Sequence, residues 1–314
     1  MDRGQQPSPR VSVVIPAFNR EATIRGAIES VLRQTFTDFE LIVVDDGSTD
    51  RTVEVARAVP DPRVRVIAVG TNRGISATRN RGIAEAQAPW VAFQDSDDEW
   101  LPEKLERQLD ALHPFGDTCV AAFCGLLTIG GLDSPATGRT SLSYTPAPHI
   151  PCRSGDILHE LMKTSFVSTQ TLVARTADLR AIGGFDEELA SIVDWEVALR
   201  LAARGPFAFV DEPLVLQRFS ANSITRDPLK RVRSQTRIVE KHRDLFAREP
   251  AVLQRHYLML SGGWRRLGHM AEARHYAARA REIRLLDPRT LLSSARALAG
   301  SVLPGSGPGP AKAP

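Results

Sequence analysis

A chain of 314 residues, 42% hydrophobic and 25% charged, can bury a sizeable core and reads as ordinary globular material, either one large domain with an appendage or two domains. No stretch reaches the roughly 18 consecutive apolar residues of a membrane span; the longest candidate, CVAAFCGLLTIGGL at 119–132, is short and rich in glycine. The net charge of +3 is unevenly spread, since residues 226–290 hold 16 Lys/Arg against 7 Asp/Glu while residues 1–225 carry −8, an asymmetry that suggests two jobs.

The N-terminus MDRGQQPSPR has no apolar run, so a secretory signal is not expected and the expected compartment is the cytoplasm. Cys119, Cys124 and Cys152 fit it: they are odd in number, lack zinc spacing and are expected to be buried thiols. Four apolar, β-branched runs follow, VSVVI (11–15), ELIVV (40–44), VRVIAV (64–69) and WVAF (90–93), each nearly continuous, as strands buried on both faces are. Between the first two, Ile24, Ala27, Ile28, Val31 and Leu32 fall on one helical stripe; between the last two, Ile75, Ile83 and Ala86 lie on a helix opened by TNRG. Strands alternating with helices predict βαβ units and a largely parallel sheet.

Each run is followed by polar residues: Asn19, then DDGSTD (45–50), TNRG (71–74) and DSDD (95–98). In open α/β sheets the carboxyl ends of the strands face the ligand crevice, so four separate loops point at one site. Further on, a helix is expected at about 101–112, strand-like runs at CVAAFCGLLTI and STQTLVAR around a loop-rich stretch (130–155), and then a Gly-Gly break, an acidic loop and a helix stopped by Gly205. PFAFVDEPLVLQRF reads as two short strands. From about 227 the pattern is helical, with GWRRLGHMAEARHYAARAREIRLLDP resembling one tetratricopeptide-type hairpin, and LPGSGPGPAKAP closes the chain as a flexible tail.

Asp95 and Asp97 are spaced i, i+2, so in extended backbone both carboxylates leave on one side and form a clamp of hard oxygen donors suited to Mg²⁺ or Mn²⁺. The plainer reading is a solvated turn with Asp98 capping the next helix. Asp45 and Asp46 stand at a strand end, where a carboxylate can accept from the N3–H of a uracil-like base, while Thr49 or Asp50 caps the following helix. Arg79 shares a helical face with Ile75 and Ile83, the face expected to meet the sheet, and a guanidinium there needs an anion, either one of these aspartates or a ligand phosphate. Arg73, in a crevice loop, and Arg81 lack that constraint. Asp194 opens a helix, a position that compensates the dipole and keeps a carboxylate ionised near neutral pH, as a general base requires.

Taken together, VSVVIPAFNR, QTFTDFELIVVDDGSTD, NRGISATRNRGIAEA, VAFQDSDDEW, GGFDEEL and DWEVALRLA resemble, in order, the motifs of family 2 glycosyltransferases over roughly residues 10–225. The resemblance implies a GT-A type α/β fold, a Rossmann-like mostly parallel sheet with flanking helices, here with a C-terminal helical segment. It implies that Pro16, Ala17, Asn19 and Asp46 hold the nucleoside and that Arg79 and Asp95 organise the donor. Asp95 and Asp97 match the metal-binding DxD, Asp97 being the more direct ligand, and Asp194 matches the catalytic base. One departure stands out: where many members show a Tyr-Arg-x-His-like stretch, this chain has Gln217 and Ser220 in place of Tyr and His.

The expected function is inverting transfer from a nucleotide-diphosphate sugar, a UDP-sugar first, to a hydroxyl of a glycan or lipid-linked acceptor. The alternatives are a non-catalytic nucleotide-sugar-binding subunit and a sugar-nucleotide nucleotidyltransferase, although no Gly-rich triphosphate loop follows the first strand. The expected organisation is a disordered N-terminus (1–10), a nucleotide-sugar-binding half (11–115), an acceptor-binding half (116–225), a basic helical segment (226–290) and a flexible tail (291–314). Nucleic acid is not an expected partner. The basic segment reads either as solvated helix faces, its cations distributed around the helices, or as a peripheral contact with anionic membrane at its inner face.

Overall fold

The computed structural model describes residues 8–130, 141–151, 153–218 and 227–283. The expected disordered N-terminus, over residues 1–7, and the expected flexible tail lie outside them, as do Cys152 and Ser220. The chain divides into two compact units, the first comprising Met1–Leu189 and Val193–Ser223 and the second Ala190–Ile192 and Ile224–Pro314.

The first unit is built on one mixed sheet. Its opening strands, β1 (Val11–Ala17), β2 (Phe39–Asp45), β3 (Val64–Ala68) and β4 (Trp90–Phe93), coincide with the four apolar runs and pair in parallel in the order β3-β2-β1-β4. Val11, Val13, Val14 and Ile15 are fully buried, as are Leu41 to Val44, because helices cover both faces. These are α1 (Ile24–Leu32), α2 (Thr52–Arg57) and α3 (Ile75–Glu85). Only glycine lets α3 approach this closely, since a Cβ on Gly82 would stand 2.3 Å from a Val14 methyl.

Beyond β4 the sheet turns mixed. β5 (Glu99–Trp100), α4 (Lys104–Leu112), β6 (Ala121–Ile129), β7 (Leu142–Thr145), α5 (Leu158–Lys163), β8 (Val173–Arg175), α6 (Thr176–Ala181), α7 (Val193–Ala202) and β9 (Phe207–Arg218) complete the unit. The full order is β3-β2-β1-β4-β8-β6-β9-β5, with β7 on β6. Two expectations are corrected here. The helix expected from about 101 begins at Lys104, because residues 99–101 are drawn into pairing with β9: Glu99 and Trp100 pair with Leu216 and Val215, and Leu101 N–H bonds Leu214 O at 3.0 Å. PFAFVDEPLVLQRF is one strand of 12 residues rather than two. Pro213, with no N–H to give, sits in a register irregularity opposite Gly125, and the strand continues past it along β6. Cys119 and Cys124 are buried free thiols. Fully buried Lys104 bonds Gln108 Oε1 at 2.7 Å and lies 3.8 Å from the Trp100 ring centroid, and burial pulls its pKa down to about 8.

The second unit is helical: α8 (Pro228–Lys241), α9 (Arg243–Ala247), α10 (Pro250–Arg266) and α11 (Met270–Ile283). Asp227 caps α8 by accepting the Leu229 and Lys230 N–H groups, ahead of Pro228 at the first helical position. α10 and α11 form the expected hairpin around Gly268 at φ 81°, joined by Ser261 Oγ to Ala273 O and Gln254 Nε2 to Ala280 O. Gly263 admits Val232 of α8, and Trp264 Nε1 donates to Thr236 Oγ1 at 3.1 Å. Among the described residues, no helix is long and apolar enough to cross a membrane.

Candidate active site

The strand order reverses at β1, which has β2 on one side and β4 on the other, so a crevice forms outside their carboxyl ends. Pro16 shapes it. Pairing between β1 and β4 ends at Val14 and Phe93, and the next rung would need the N–H that Pro16 lacks. Ala17 still pairs with Asp45, and its carbonyl accepts the Asp46 N–H at 2.8 Å, so the edge of β1 holds the second loop in place.

That loop is tied on all sides. Asn19, at φ 52°, accepts the Thr49 N–H on its side-chain oxygen at 2.9 Å, and its own N–H donates to Ser48 Oγ. Asp45 folds back to accept the N–H groups of Gly47 and Ser48, and Asp50 accepts those of Thr52 and Glu21. Gly47 takes φ 77°, and a Cβ there would press on the Thr71–Asn72 backbone at 3.1 Å. Asp46, only 4% exposed, accepts the N–H groups of Arg73 and Gly74, one on each oxygen, at 2.9 and 2.8 Å. Beside it opens a cleft of about 370 Å³, lined by Asp46, Ile67, Val69, Thr71, Arg73 and Thr78 among others.

The DSDD segment is not extended, so the clamp argument from i, i+2 spacing is corrected. Residues 95–98 make a turn in which the Asp98 N–H bonds Asp95 O at 3.3 Å. Asp98 is no helix cap either, since it is buried and precedes β5. Burial, and then the charges of Asp95 and Asp97, push its pKa up to about 9; the amides of Gln170 and Gln217 lean on its carboxyl while Oδ2 has no hydrogen bond. Asp97 is raised by burial first and by Asp95 second, opposed by Arg20, whose guanidinium stands 3.7 Å away.

Arg79 lies 3% exposed under this turn, its Nη2 2.7 Å from Asp95 Oδ1 and its guanidinium 5.4 Å from the Phe185 ring centroid. Nε has no hydrogen bond among the described residues. The GGFDEEL loop is clamped to α3 beside it: Asn80 accepts the Phe185 N–H at 2.7 Å and donates to Phe185 O and Glu187 Oε1. Glu187 also meets the Arg73 guanidinium at 3.3 Å, and Arg200 donates to Gly184 O from α7. Arg73 is thus less free than its loop position suggested, although its side chain stays exposed. Arg81 pairs with Glu85.

Asp194 stands in the first turn of α7, partly open to solvent, with Oδ1 accepting the Trp195 N–H at 2.9 Å. The dipole argument is corrected in sign, since burial outweighs it and raises this carboxyl above the ordinary range. The Trp195 N–H and the Arg79 charge pull it back, and Asp95 adds to the rise. Asp194 therefore feels the same Arg79–Asp95 pair that anchors the DSDD turn. Arg20, Asn80, Gln170, Phe185 and Glu187 were not singled out from sequence. Asn80 adjoins Arg79 and Glu187 lies in GGFDEEL, but only the folded contacts give either one a reason.

Asp95, Asp97 and Asp98 share one turn, and the charge of Asp95 adds to the burial that raises Asp97 and Asp98; such hard oxygen donors suit a divalent cation in kind, although among the described residues no three potential ligands are gathered to hold one.

Residues 12–132 match the sequence profile described as Glycosyl transferase family 2. Succinoglycan biosynthesis protein ExoO of Rhizobium meliloti is 36% identical over 143 residues, 46% of this chain and 41% of that protein. The Escherichia coli UDP-Glc:alpha-D-GlcNAc-diphosphoundecaprenol beta-1,3-glucosyltransferase WfgD is 37% identical over 102 residues, 32% of this chain and 40% of that protein. The chain thus spans about two fifths of the length of these two relatives. Among solved structures, S. aureus TarS 1-349 in complex with UDP-GlcNAc superposes with a TM-score of 0.70 at 18% identity, covering 93% of this chain and 89% of that one. The mannosyltransferase PcManGT from Pyrobaculum calidifontis, in complex with GDP-Man and Mn²⁺, gives 0.56 at 17%, covering 94% and 86%. At these identities the likeness is one of fold, the GT-A type. Over residues 12–132, less than half of its length, the chain is thus similar to glycosyl transferase family 2.

Proposed function

We propose that the protein transfers a sugar, with inversion, from a nucleotide-diphosphate donor, a UDP-sugar first, to a hydroxyl of a glycan or lipid-linked acceptor. The observation that carries this reading is the turn bearing Asp95, Asp97 and Asp98, anchored by the pairing of Asp95 with buried Arg79 at the point where the strand order reverses. The cleft beside Asp46 takes the nucleoside, with Pro16, Ala17 and Asn19 forming its edge. Each Asp46 oxygen keeps a lone pair beyond its backbone bond and can accept from a base N–H. Arg79 stays on Asp95 and keeps the turn in register for the diphosphate.

Asp97, with Asp95 beside it, would hold Mg²⁺ or Mn²⁺, which when bound supplies positive charge to the leaving diphosphate. Asp194 accepts the proton of the acceptor hydroxyl as that oxygen attacks the anomeric carbon, and its raised pKa makes it a stronger base than an exposed carboxylate. The named relative WfgD, whose acceptor is linked to diphosphoundecaprenol, favours a lipid-linked acceptor.

The test is a panel of nucleotide sugars with and without Mn²⁺, together with calorimetry of UDP on wild type and Asp97→Ala. We expect turnover of at least one UDP-sugar, and Mn²⁺-dependent UDP binding that Asp97→Ala loses about tenfold or more. Equal affinity in the variant, with unchanged sensitivity to EDTA, would remove the metal from the reading.

A further inference from the structure

Arg79 and Arg20 both meet the acidic turn, and they differ in how firmly they are held. Arg79 is buried, its Nη2 2.7 Å from Asp95 Oδ1, and stays where it is. Arg20 stands in the loop after β1 with its side chain 37% exposed, and its Nη2 lies 3.7 Å from Asp97 Oδ2, beyond hydrogen-bond reach. Among the described residues neither Arg20 nor Asp97 has another ion-pair partner. The backbone beneath Arg20 is fixed: its N–H donates to Thr52 Oγ1 at 2.7 Å, and its carbonyl accepts the N–H groups of Thr23 and Ile24 at the start of α1. Nη1 donates to Asn19 O at 3.2 Å and Phe18 O at 3.5 Å, which keeps the guanidinium at the crevice edge while Nη2 faces the turn.

A pair of this length between partly exposed groups contributes little to stability and is readily exchanged. A diphosphate offers the same guanidinium more charge, and oxygens spaced for a two-pronged bond, which is the stronger contact. Position agrees with this. Arg20 follows Pro16, Ala17 and Asn19, the edge given above to the nucleoside, and faces the turn given to the diphosphate, so one side chain joins the two. Arg73, the exposed arginine of the third loop, instead lines the cleft beside Asp46 and meets Glu187. We propose that Arg20 binds the diphosphate of the donor, leaving Asp97 for it as the donor enters. The proposal rests on the nucleotide-diphosphate reading for the identity of its ligand. The exchange also clears Asp97 of a competing positive charge, as a divalent cation at that carboxylate requires.

The experiment is calorimetry of uridine, UDP and inorganic pyrophosphate on the full chain in EDTA, with UDP repeated in Mn²⁺. The variants are Arg20→Gln, Arg20→Lys and Asp97→Asn, with Arg25→Gln as a control for charge, since its exposed pair with Glu29 on α1 is also 3.7 Å long. Thermal melts check that all four fold. In EDTA, Arg20→Gln should bind UDP and pyrophosphate about tenfold more weakly, and uridine as the wild type does. Arg20→Lys should recover part of the loss, because it keeps the charge without the fork. Asp97→Asn should move the other way in EDTA, binding UDP about threefold more tightly as it releases Arg20 and removes a repelling charge, and should turn to a loss in Mn²⁺. Arg25→Gln should match the wild type throughout. Equal losses in Arg20→Gln and Asp97→Asn in EDTA would mean that Arg20 only holds the turn, and would overturn the proposal. So would a loss that extends to uridine, or a wild type that binds neither UDP nor pyrophosphate in EDTA. If UDP binds and Arg20→Gln is neutral, the nucleotide reading stands and the Arg20 site fails. If pyrophosphate binds through Arg20 while uridine does not bind and UDP does no better than pyrophosphate, the nucleotide reading fails and the Arg20 site stands.

Discussion

Asp194 is where chemistry and stability pull apart. Burial raises its pKa, so the folded state binds its proton more tightly than the unfolded chain does. The stability this group contributes is therefore fully present below the ordinary carboxylate range and is lost as pH rises through the raised value. Above the ordinary carboxylate range, burying this carboxyl is therefore a cost to the fold. Asp194→Asn removes that cost while keeping shape, and should raise Tm by about 2–4 °C at pH 7, with turnover lowered about 100-fold or more and UDP affinity retained. Thermal melts at pH 4 and pH 7 check the sign, since the gain must shrink at the lower pH. A variant with near-normal turnover would return Asp194 to plain helix-dipole compensation. Arg79 is the complementary case: a buried cation legible from its place one turn before buried Ile83, although Ile75, read on the same face, is itself exposed. Its partner was legible as a class, one of the crevice aspartates or a ligand phosphate, and the turn makes it Asp95, 16 residues further on.

At the scale of elements, the four opening strands and their helices could be read because each pattern is local: continuous β-branched runs, one apolar stripe, polar loops after every strand. What escaped reading depends on partners. β5 is two residues long and exists because β9 lies beside it, and β9 passes its irregularity as one strand because β6 continues. The GGFDEEL loop belongs with these, since its role comes from Asn80 on α3. Asn80 holds both backbone groups of Phe185, and a Cβ on Gly184 would stand 2.3 Å from Asn80 Oδ1. Phe185 in turn lies beneath the Arg79 guanidinium and meets Phe93 edge-on at 5.2 Å. Asn80→Ala should cost about 2 kcal/mol, because it leaves partly buried backbone groups unpaired. It should also weaken UDP binding several-fold as Arg79 loses its support. Denaturant melts and calorimetry measure the two effects separately; a loss of stability with unchanged UDP affinity would confine the clamp to folding.

For the molecule as a whole, the boundary between the units falls in an unexpected place. Ala190–Ile192 groups with the second unit, yet the very next residue begins α7, which carries Asp194 in its first turn. Two features hold that short stretch. The Ser191 N–H donates to Ser234 Oγ of α8 at 3.1 Å, with both serines buried, and Ile192 takes φ 50°, a conformation that a β-branched side chain adopts only under constraint. Ile192 leads directly into α7, so its backbone conformation sets where the helix carrying the proposed base starts, and the Ser234 hydroxyl is one of the contacts on that stretch. Ser234→Ala leaves the Ser191 amide unpaired and should cost about 1–2 kcal/mol. If the stretch positions the base, the same variant lowers turnover about tenfold, leaves UDP affinity unchanged, and keeps the pH at which activity rises, since Asp194 itself is intact. Ile192→Gly, which removes the strain, should melt at or above the wild-type temperature and still lose turnover, because the helix start is no longer held. Turnover that follows Tm in both variants would mean that the stretch matters only for stability; a loss in Ile192→Gly without any fall in Tm separates positioning from folding.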